Sequence, residues 1–324
     1  MSCTSRSAAL GGRGALWLSA VLGLLAWPAP GWTRSAAEPP PQAPAVEGTR
    51  GRPQIRSDLP YGGVALGVAD RQRMLDLYIP DRSTGTPAGA AAPPPLFVYI
   101  HGGAWVSGDK RQYAELGEAL AARGVLVAII NYRLSGVGAT AVRHPSHAQD
   151  AATAVAWLRK RADELGFDKA RIFIGGHSAG AHISALLAYD PSLLGAVGVQ
   201  PDAIRGYIGL EGIYDLPELV RRFPSYRVDF LQVAFSGDET SWRAASPQHL
   251  PIQHRRPWLL LHSQHDELVD LEQSRRFKTA LENKQVPVSW LQLARGSHFG
   301  VIDELSRPGS PLSDRVLDFI RTAR

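Results

Sequence analysis

The sequence has a single cysteine in 324 residues, and Cys3 stands in the leading segment. The rest of the chain therefore has no thiol for a disulfide, a zinc-thiolate cluster or a cysteine nucleophile. Excess charge is also scarce. The formal net charge is +5, but Arg6, Arg13 and Arg34 fall in the first 37 residues, which contain no Asp or Glu, so the remainder carries 5 − 3 = +2. No cluster of Lys and Arg is present elsewhere, which excludes nucleic acid as the main partner, because phosphate binding needs concentrated positive charge. Metal-ligand patterns are missing too. His144, His147, His249, His254, His262 and His265 have neither an H-E-x-x-H spacing nor a Cys partner, so they are read as satisfied loop or core histidines, and neither a metal nor a cofactor is expected. A membrane-spanning run is lacking as well: the apolar stretch Gly14 to Trp27 is too short and is broken by Pro28 and Pro30.

What that stretch does match, with Arg6 and Arg13 before it and Ser35-Ala36-Ala37 after it, is a secretory signal over residues 1–37 cut near Ala37. An exported protein, periplasmic or extracellular, is expected, with no stable membrane insertion once the signal is removed; an uncleaved anchor is the alternative. Residues 38–60, with Pro39, Pro40, Pro41, Pro44, Pro53 and Pro60, read as a flexible tether. The folded domain is placed at 61–324. With 44% hydrophobic and 20% charged residues, the chain can bury a large core.

Within that domain, Val64, Leu66 and Val68, then Leu75, Leu77 and Ile79, alternate as an antiparallel pair would. Leu96 to Ile100 and Val125 to Ile130 are continuous apolar runs, the mark of strands buried on both faces. Helices are expected at 110–123, 146–165, 270–283 and 311–323, and further strands at 171–174, 204–210, 257–262 and 287–293. The alternation of strand and helix predicts an α/β fold, a mostly parallel twisted sheet flanked by helices.

The most informative stretch is Gly176-His177-Ser178-Ala179-Gly180. It lies between a β-branched strand and a run of helix formers, where a G-x-S-x-G sequence makes a strand-to-helix elbow that presents the serine hydroxyl. Two elements earlier, His101-Gly102-Gly103-Ala104-Trp105 directly follows a strand, so backbone N–H groups of Gly102, Gly103 and Ala104, with that of Ala179, can form an oxyanion hole. Asp266 falls at the end of the strand 257–262, where ligand and catalytic groups of open α/β sheets collect. Its rivals Glu267 and Asp270 read as solvated carboxylates at the start of the next helix. His298 lies in the loop after the last strand. Ser178, Asp266 and His298 thus occur in the chain order of a serine-nucleophile triad, with His298 as base and Asp266 as its orienting acid.

On the H-G-G-x-W and G-x-S-x-G motifs, the chain resembles the α/β-hydrolase superfamily, and specifically the carboxylesterase branch that contains kynurenine formamidases (arylformamidases). Gly209 to Leu216, Phe223-Pro224-Ser225-Tyr226, Ala234-Phe235 and Trp242 to Ser246-Pro247 resemble the same branch. The resemblance, from about Leu96 to the C-terminus, implies a cofactor-free hydrolase that cleaves a small-molecule ester or N-formyl aryl amide through an acyl-enzyme. It also implies a small cap inserted at about 211–256. Trp105, His177 and Tyr214 are candidates for a substrate pocket, and Arg222 or Arg227 for a substrate carboxylate. Prenylcysteine methylesterases share a similar elbow. The alternatives are a secreted esterase for short-acyl, aryl or methyl esters without formamidase activity, a metallohydrolase using the histidine pairs, and a non-catalytic binding module on the same fold.

Overall fold

Strands with no polar face need cover on both sides, and the arrangement of this chain supplies it. The computed structural model describes residues 52–62, 64–65, 68–69, 71–81, 92–136 and 142–323. The expected signal at 1–37 and most of the tether lie outside the described residues.

Eight strands form the main sheet: β1 (Gln54–Pro60), β2 (Met74–Ile79), β3 (Leu96–Ile100), β4 (Leu126–Ile130), β5 (Ile172–His177), β6 (Ile204–Leu210), β7 (Trp258–Ser263) and β8 (Val288–Leu293). Their order is β1-β2-β4-β3-β5-β6-β7-β8. β2 runs antiparallel to β1 and β4, and the pairs from β4 through β8 are parallel. The main helices are α1 (Ala114–Ala121), α2 (Ser146–Lys160), α3 (Ala179–Tyr189), α4 (Leu216–Arg222), α5 (Glu272–Asn283) and α6 (Pro311–Thr322).

Side chains of a strand alternate between faces, and the core divides accordingly. Phe97, Tyr99, Val127 and Ile129 join Leu116 and Leu120 of α1 and Leu317 and Ile320 of α6 in one cluster. Leu96, Val98, Ile100, Leu126, Ala128 and Ile130 join Ala151 and Val155 of α2, Ile183 and Leu187 of α3, and Phe277 of α5 in the other. Each fully buried Leu, Ile or Phe contributes about 1.5–3 kcal/mol, so this two-sided core holds the strand ends that carry the site.

Three expectations are corrected. The tether does not extend to residue 60, because Gln54–Pro60 is an edge strand. The alternation at 64–68 does not pair with 75–79: Val64–Ala65 and Val68–Ala69 form their own small hairpin, and β2 pairs with β1. β1 escapes a hydropathy reading because Gln54 to Asp58 are exposed and its backbone does the pairing. An ion cluster fastens it. Lys110 Nζ lies 2.7 Å from Asp58 and 2.6 Å from Asp76, and the Asp58 N–H donates to Asp76 at 2.8 Å. The predicted helix 146–165 is also divided: α2 ends at Lys160, and Ala162–Leu165 is a separate turn closed by Gly166 at φ 74°. Among the described residues no helix is long and apolar enough to cross a membrane.

Candidate active site

The elbow is built by steric exclusion. Ser178 has φ 56° and ψ −119°, heads α3, and is 6% exposed. A left-handed backbone at a non-glycine residue costs on the order of 1–3 kcal/mol and clusters at functional sites. The flanking glycines are dictated by the strand beside them. A Cβ on Gly180 would stand 2.0 Å from the Ile100 carbonyl oxygen, and one on Gly176 would stand 2.4 Å from the same atom. Only glycine allows β3 and the elbow to come so close.

That approach also brings up the His101–Trp105 loop. A Cβ on Gly102 would lie 3.2 Å from Ser178 Cβ, so the loop is packed directly against the candidate nucleophile. Gly103, Ala104 and Trp105 all have positive φ, at 117°, 51° and 63°. The loop carbonyls are fixed: His101 Nδ1 donates to Gly102 O at 2.7 Å, and Val106 N–H, Ser107 N–H and Ser107 Oγ donate to Gly103 O at 3.0–3.1 Å. In a trans peptide the N–H points away from its carbonyl, so the N–H groups of Gly103 and Ala104 are turned out of the loop. Ala179 N–H, at the first turn of α3, has no intrahelical acceptor. Gly102 is different. Its N–H donates to Tyr113 Oη at 3.3 Å, which removes it from the expected oxyanion set and leaves Gly103, Ala104 and Ala179. Burial lowers the His101 pKa to about 4, and its ring, stacked 4.4 Å from Tyr132, braces this loop as a neutral group.

At the other side, His298 Nδ1 donates to Asp266 Oδ2 at 2.8 Å. Asp266 is fully engaged: its Oδ1 accepts the N–H groups of Leu268 and Val269 at 2.9 and 2.8 Å, and its Oδ2 also lies 3.2 Å from His262 Nε2. Burial opposes the charge, but the bonds from His262 and His298 hold the Asp266 carboxyl well below the usual carboxylate range. Of its rivals, Glu267 accepts the His298 backbone N–H at 3.2 Å, and Asp270 caps Glu272 and pairs with Arg222 at 2.8 Å. With Nδ1 carrying the proton, His298 keeps a lone pair on Nε2. The described hydrogen bonds join His298 to Asp266 but not to Ser178. His298 nevertheless stands beside the elbow, since the ring of His177, the residue before Ser178, lies 4.3 Å from its own. Serine–histidine bonds in unliganded enzymes are often long and tighten with substrate.

His177 and Glu211 complete the surroundings. His177 Nε2 donates to His298 O at 2.9 Å, and burial lowers its pKa to about 4, so it is a neutral brace for the His298 backbone. Glu211 directly follows β6, is fully buried, and has φ 50°. Its Oε1 accepts Ser263 N–H at 3.0 Å, and its Oε2 lies 3.2 Å from His298 Nδ1. Sequence reasoning gave neither Glu211 nor His262 a role. The signal for Glu211 was its position at the carboxyl end of a buried strand, the same criterion that selected Asp266. The donor atoms of His177, Glu211 and His298 gather within 4.8 Å, as a metal would require. The nitrogens nearest Glu211, however, are already N–H donors to His298 O and Asp266 Oδ2, so they present protons, not lone pairs, to this cluster.

The three residues expected in the pocket are all buried. Trp105 is 1% exposed, with Nε1 donating to His182 at 3.3 Å and its ring edge-on to Phe235 at 4.7 Å. Tyr214 is 0% exposed and stacks on Phe277 at 4.1 Å. His177 supports His298 as described. Their ring surface is taken up by protein, and Trp105 instead clamps the oxyanion loop to α3 and to the segment between β6 and β7. Within that segment, Tyr226 Oη donates to Leu268 O at 3.2 Å, and Arg227 lies over Trp242 at 4.9 Å. Phe299, 42% exposed beside the His298 ring, marks the solvent side of the site.

Comparison with known proteins gives the family and the fold. The BD-FAE family model matches residues 75–281. Esterase LipC of Mycobacterium tuberculosis is 32% identical over 224 residues, 65% of this chain and 54% of that protein. The isoprenylcysteine alpha-carbonyl methylesterase ICME of Arabidopsis thaliana is 30% identical over 244 residues, 71% of this chain and 53% of that protein. The chain thus spans about half the length of these curated relatives. Among solved structures, esterase B of Lactobacillus rhamnosis superposes with a TM-score of 0.67 at 22% identity, covering 84% of this chain and 85% of that one. The expected α/β-hydrolase fold is therefore the fold of this protein.

Proposed function

The chain belongs to the BD-FAE family, and from that premise we propose that it is a serine carboxylic ester hydrolase acting through an acyl-enzyme. The observation that carries the reading is Ser178 at a positive-φ elbow, with the Gly102 loop packed against it and the hydrogen-bonded His298–Asp266 pair beside the neighbouring His177 ring. In this mechanism Ser178 Oγ attacks the ester carbonyl carbon as its proton passes to His298 Nε2. The oxyanion is stabilised by the N–H groups of Gly103, Ala104 and Ala179, donors already oriented before reaction. Collapse breaks the carbonyl–oxygen ester bond, and the departing alkoxide takes the proton from His298. Water then attacks the acyl-serine, giving its proton to His298, and the carboxylic acid leaves as Ser178 recovers its own. Asp266 fixes the Nδ1–H tautomer and stabilises the imidazolium.

Esters are favoured over formamides by the esterase names of the relatives, and the buried Trp105 and Tyr214 do not offer an aryl-accepting surface. The test is a side-by-side rate comparison of methyl, short-acyl and aryl esters with N-formylkynurenine. At least one ester should exceed the formamide by more than about tenfold in kcat/KM, a difference of about 1.4 kcal/mol in the barrier. A reversed preference would make the enzyme an arylformamidase while leaving the mechanism intact. Export is also proposed, on the leading segment alone.

A further inference from the structure

Glu211 combines three features that stability alone does not explain. Its backbone is in the left-handed region at φ 50°, its side chain is fully buried, and its Oε2 has no formed hydrogen bond. A structural acceptor for Ser263 N–H would need only one oxygen, and a neutral amide would supply it. Burying a carboxyl with one oxygen unsatisfied is unfavourable unless that oxygen has another use. The nearest group that becomes cationic during the proposed attack is His298, whose Nδ1 lies 3.2 Å from Oε2. Asp266 meanwhile receives His298, Leu268 and Val269 and sits beside His262, so it does not need Glu211 to satisfy it.

From this geometry we infer that Glu211 is a positioning residue, a second carboxyl on the Nδ1 side of His298 that stabilises the imidazolium formed during attack and takes over the N–H when Asp266 is missing. The inference rests on the serine-hydrolase reading and adds a residue to it. The groups facing Glu211 are His177 on β5, His262 on β7, Asp266 in the following loop, and His298; Glu267, on that loop, holds the His298 backbone. Burial pushes the Glu211 carboxyl up to about 7, the nearby His298 opposing and the charge of Asp266 adding to the rise. The sign follows. Below neutrality Glu211 holds its proton and is electrically silent; as pH rises through about 7 it ionises beside Nδ1–H and strengthens the imidazolium of the transition state.

The test uses p-nitrophenyl acetate with the full chain and four variants: Glu211→Gln, Asp266→Asn, the double variant and Ser178→Ala. Loss of the orienting acid alone costs about 10⁴-fold in a triad with no substitute. Here Asp266→Asn should cost about 10²-fold and the double variant about 10⁴-fold. The kcat/KM ratio of wild type to Glu211→Gln should also grow about tenfold from about pH 6 to about pH 8.5, the equivalent of one pKa unit. Equal losses in Asp266→Asn and the double variant, or a ratio that stays flat, overturn the inference. Turnover retained in Ser178→Ala sinks the serine-hydrolase reading instead, so the two failures are separable. If Glu211→Gln does not fold, the single variant Asp266→Asn decides: a loss near about 10²-fold supports the inference, and a loss near about 10⁴-fold, that of a triad with no substitute, overturns it.

Discussion

Ser178→Ala is expected to lower kcat/KM by on the order of 10⁴- to 10⁶-fold, the range seen when a triad nucleophile is removed. The fold should hardly notice. The Ser178 side chain fills a site 6% exposed, and the elbow shape is set by Gly176 and Gly180 against the Ile100 carbonyl rather than by the hydroxyl. Alanine has the same Cβ, so the unfolding free energy should stay within about 1 kcal/mol of wild type. Steady-state kinetics with an activated ester, together with a denaturant melt, measures both. Activity above roughly one part in a hundred of wild type would remove Ser178 from the reaction, since no triad nucleophile is so dispensable.

Lys110→Met should produce the largest loss of stability, about 3–5 kcal/mol, because it leaves the buried Asp76 without its cation. Asp58 contributes less, its side chain being 68% exposed. The loss is one of uncompensated charge, so the double variant Lys110→Met, Asp76→Asn should recover a good part of it: asparagine can still accept the Asp58 N–H that Asp76 accepts now. Urea unfolding of the wild type, the single variant and the double variant gives the coupling directly. A single variant within about 1 kcal/mol of wild type would show that β1 is not fastened through this cluster. The hydrogen bond and charge of Lys110 lower the Asp58 pKa. That contribution is present above the unfolded-state pKa of Asp58 and is lost as pH falls through the folded one, so acid should narrow the gap between wild type and Lys110→Met.

The sequence showed most clearly what depends on local pattern. β3 and β4 are legible because both their faces are buried, giving uninterrupted apolar runs. Ser178 is legible because only glycine fits beside it, and steric need leaves a mark in the sequence. The chain order of Ser178, Asp266 and His298 follows from the order of the strands that carry them. What stayed hidden depends on partners distant in the chain. β1 is joined by its backbone and by Lys110, 52 residues from Asp58, and its exposed side chains resemble a tether. Gly102 has the look of an oxyanion donor until Tyr113 is seen to occupy its N–H. Trp105 and Tyr214 read equally well as pocket or core, since an aromatic side chain suits both, and only Phe235 and Phe277 packed against them decide for the core. Glu211 needed the structure because a lone carboxyl after a strand is unremarkable until His298, 87 residues later in the chain (298 − 211), comes within 3.2 Å of it.

The central claim, that Ser178 is the activated nucleophile, is tested most directly by covalent labelling. A fluorophosphonate incubated with the purified protein should add one equivalent, and peptide mass spectrometry should place it on the segment containing Gly176-His177-Ser178-Ala179-Gly180. Complete loss of ester turnover in proportion to the label is the predicted result. Full turnover in the stoichiometrically labelled protein, or a label found on any residue other than Ser178, would contradict it.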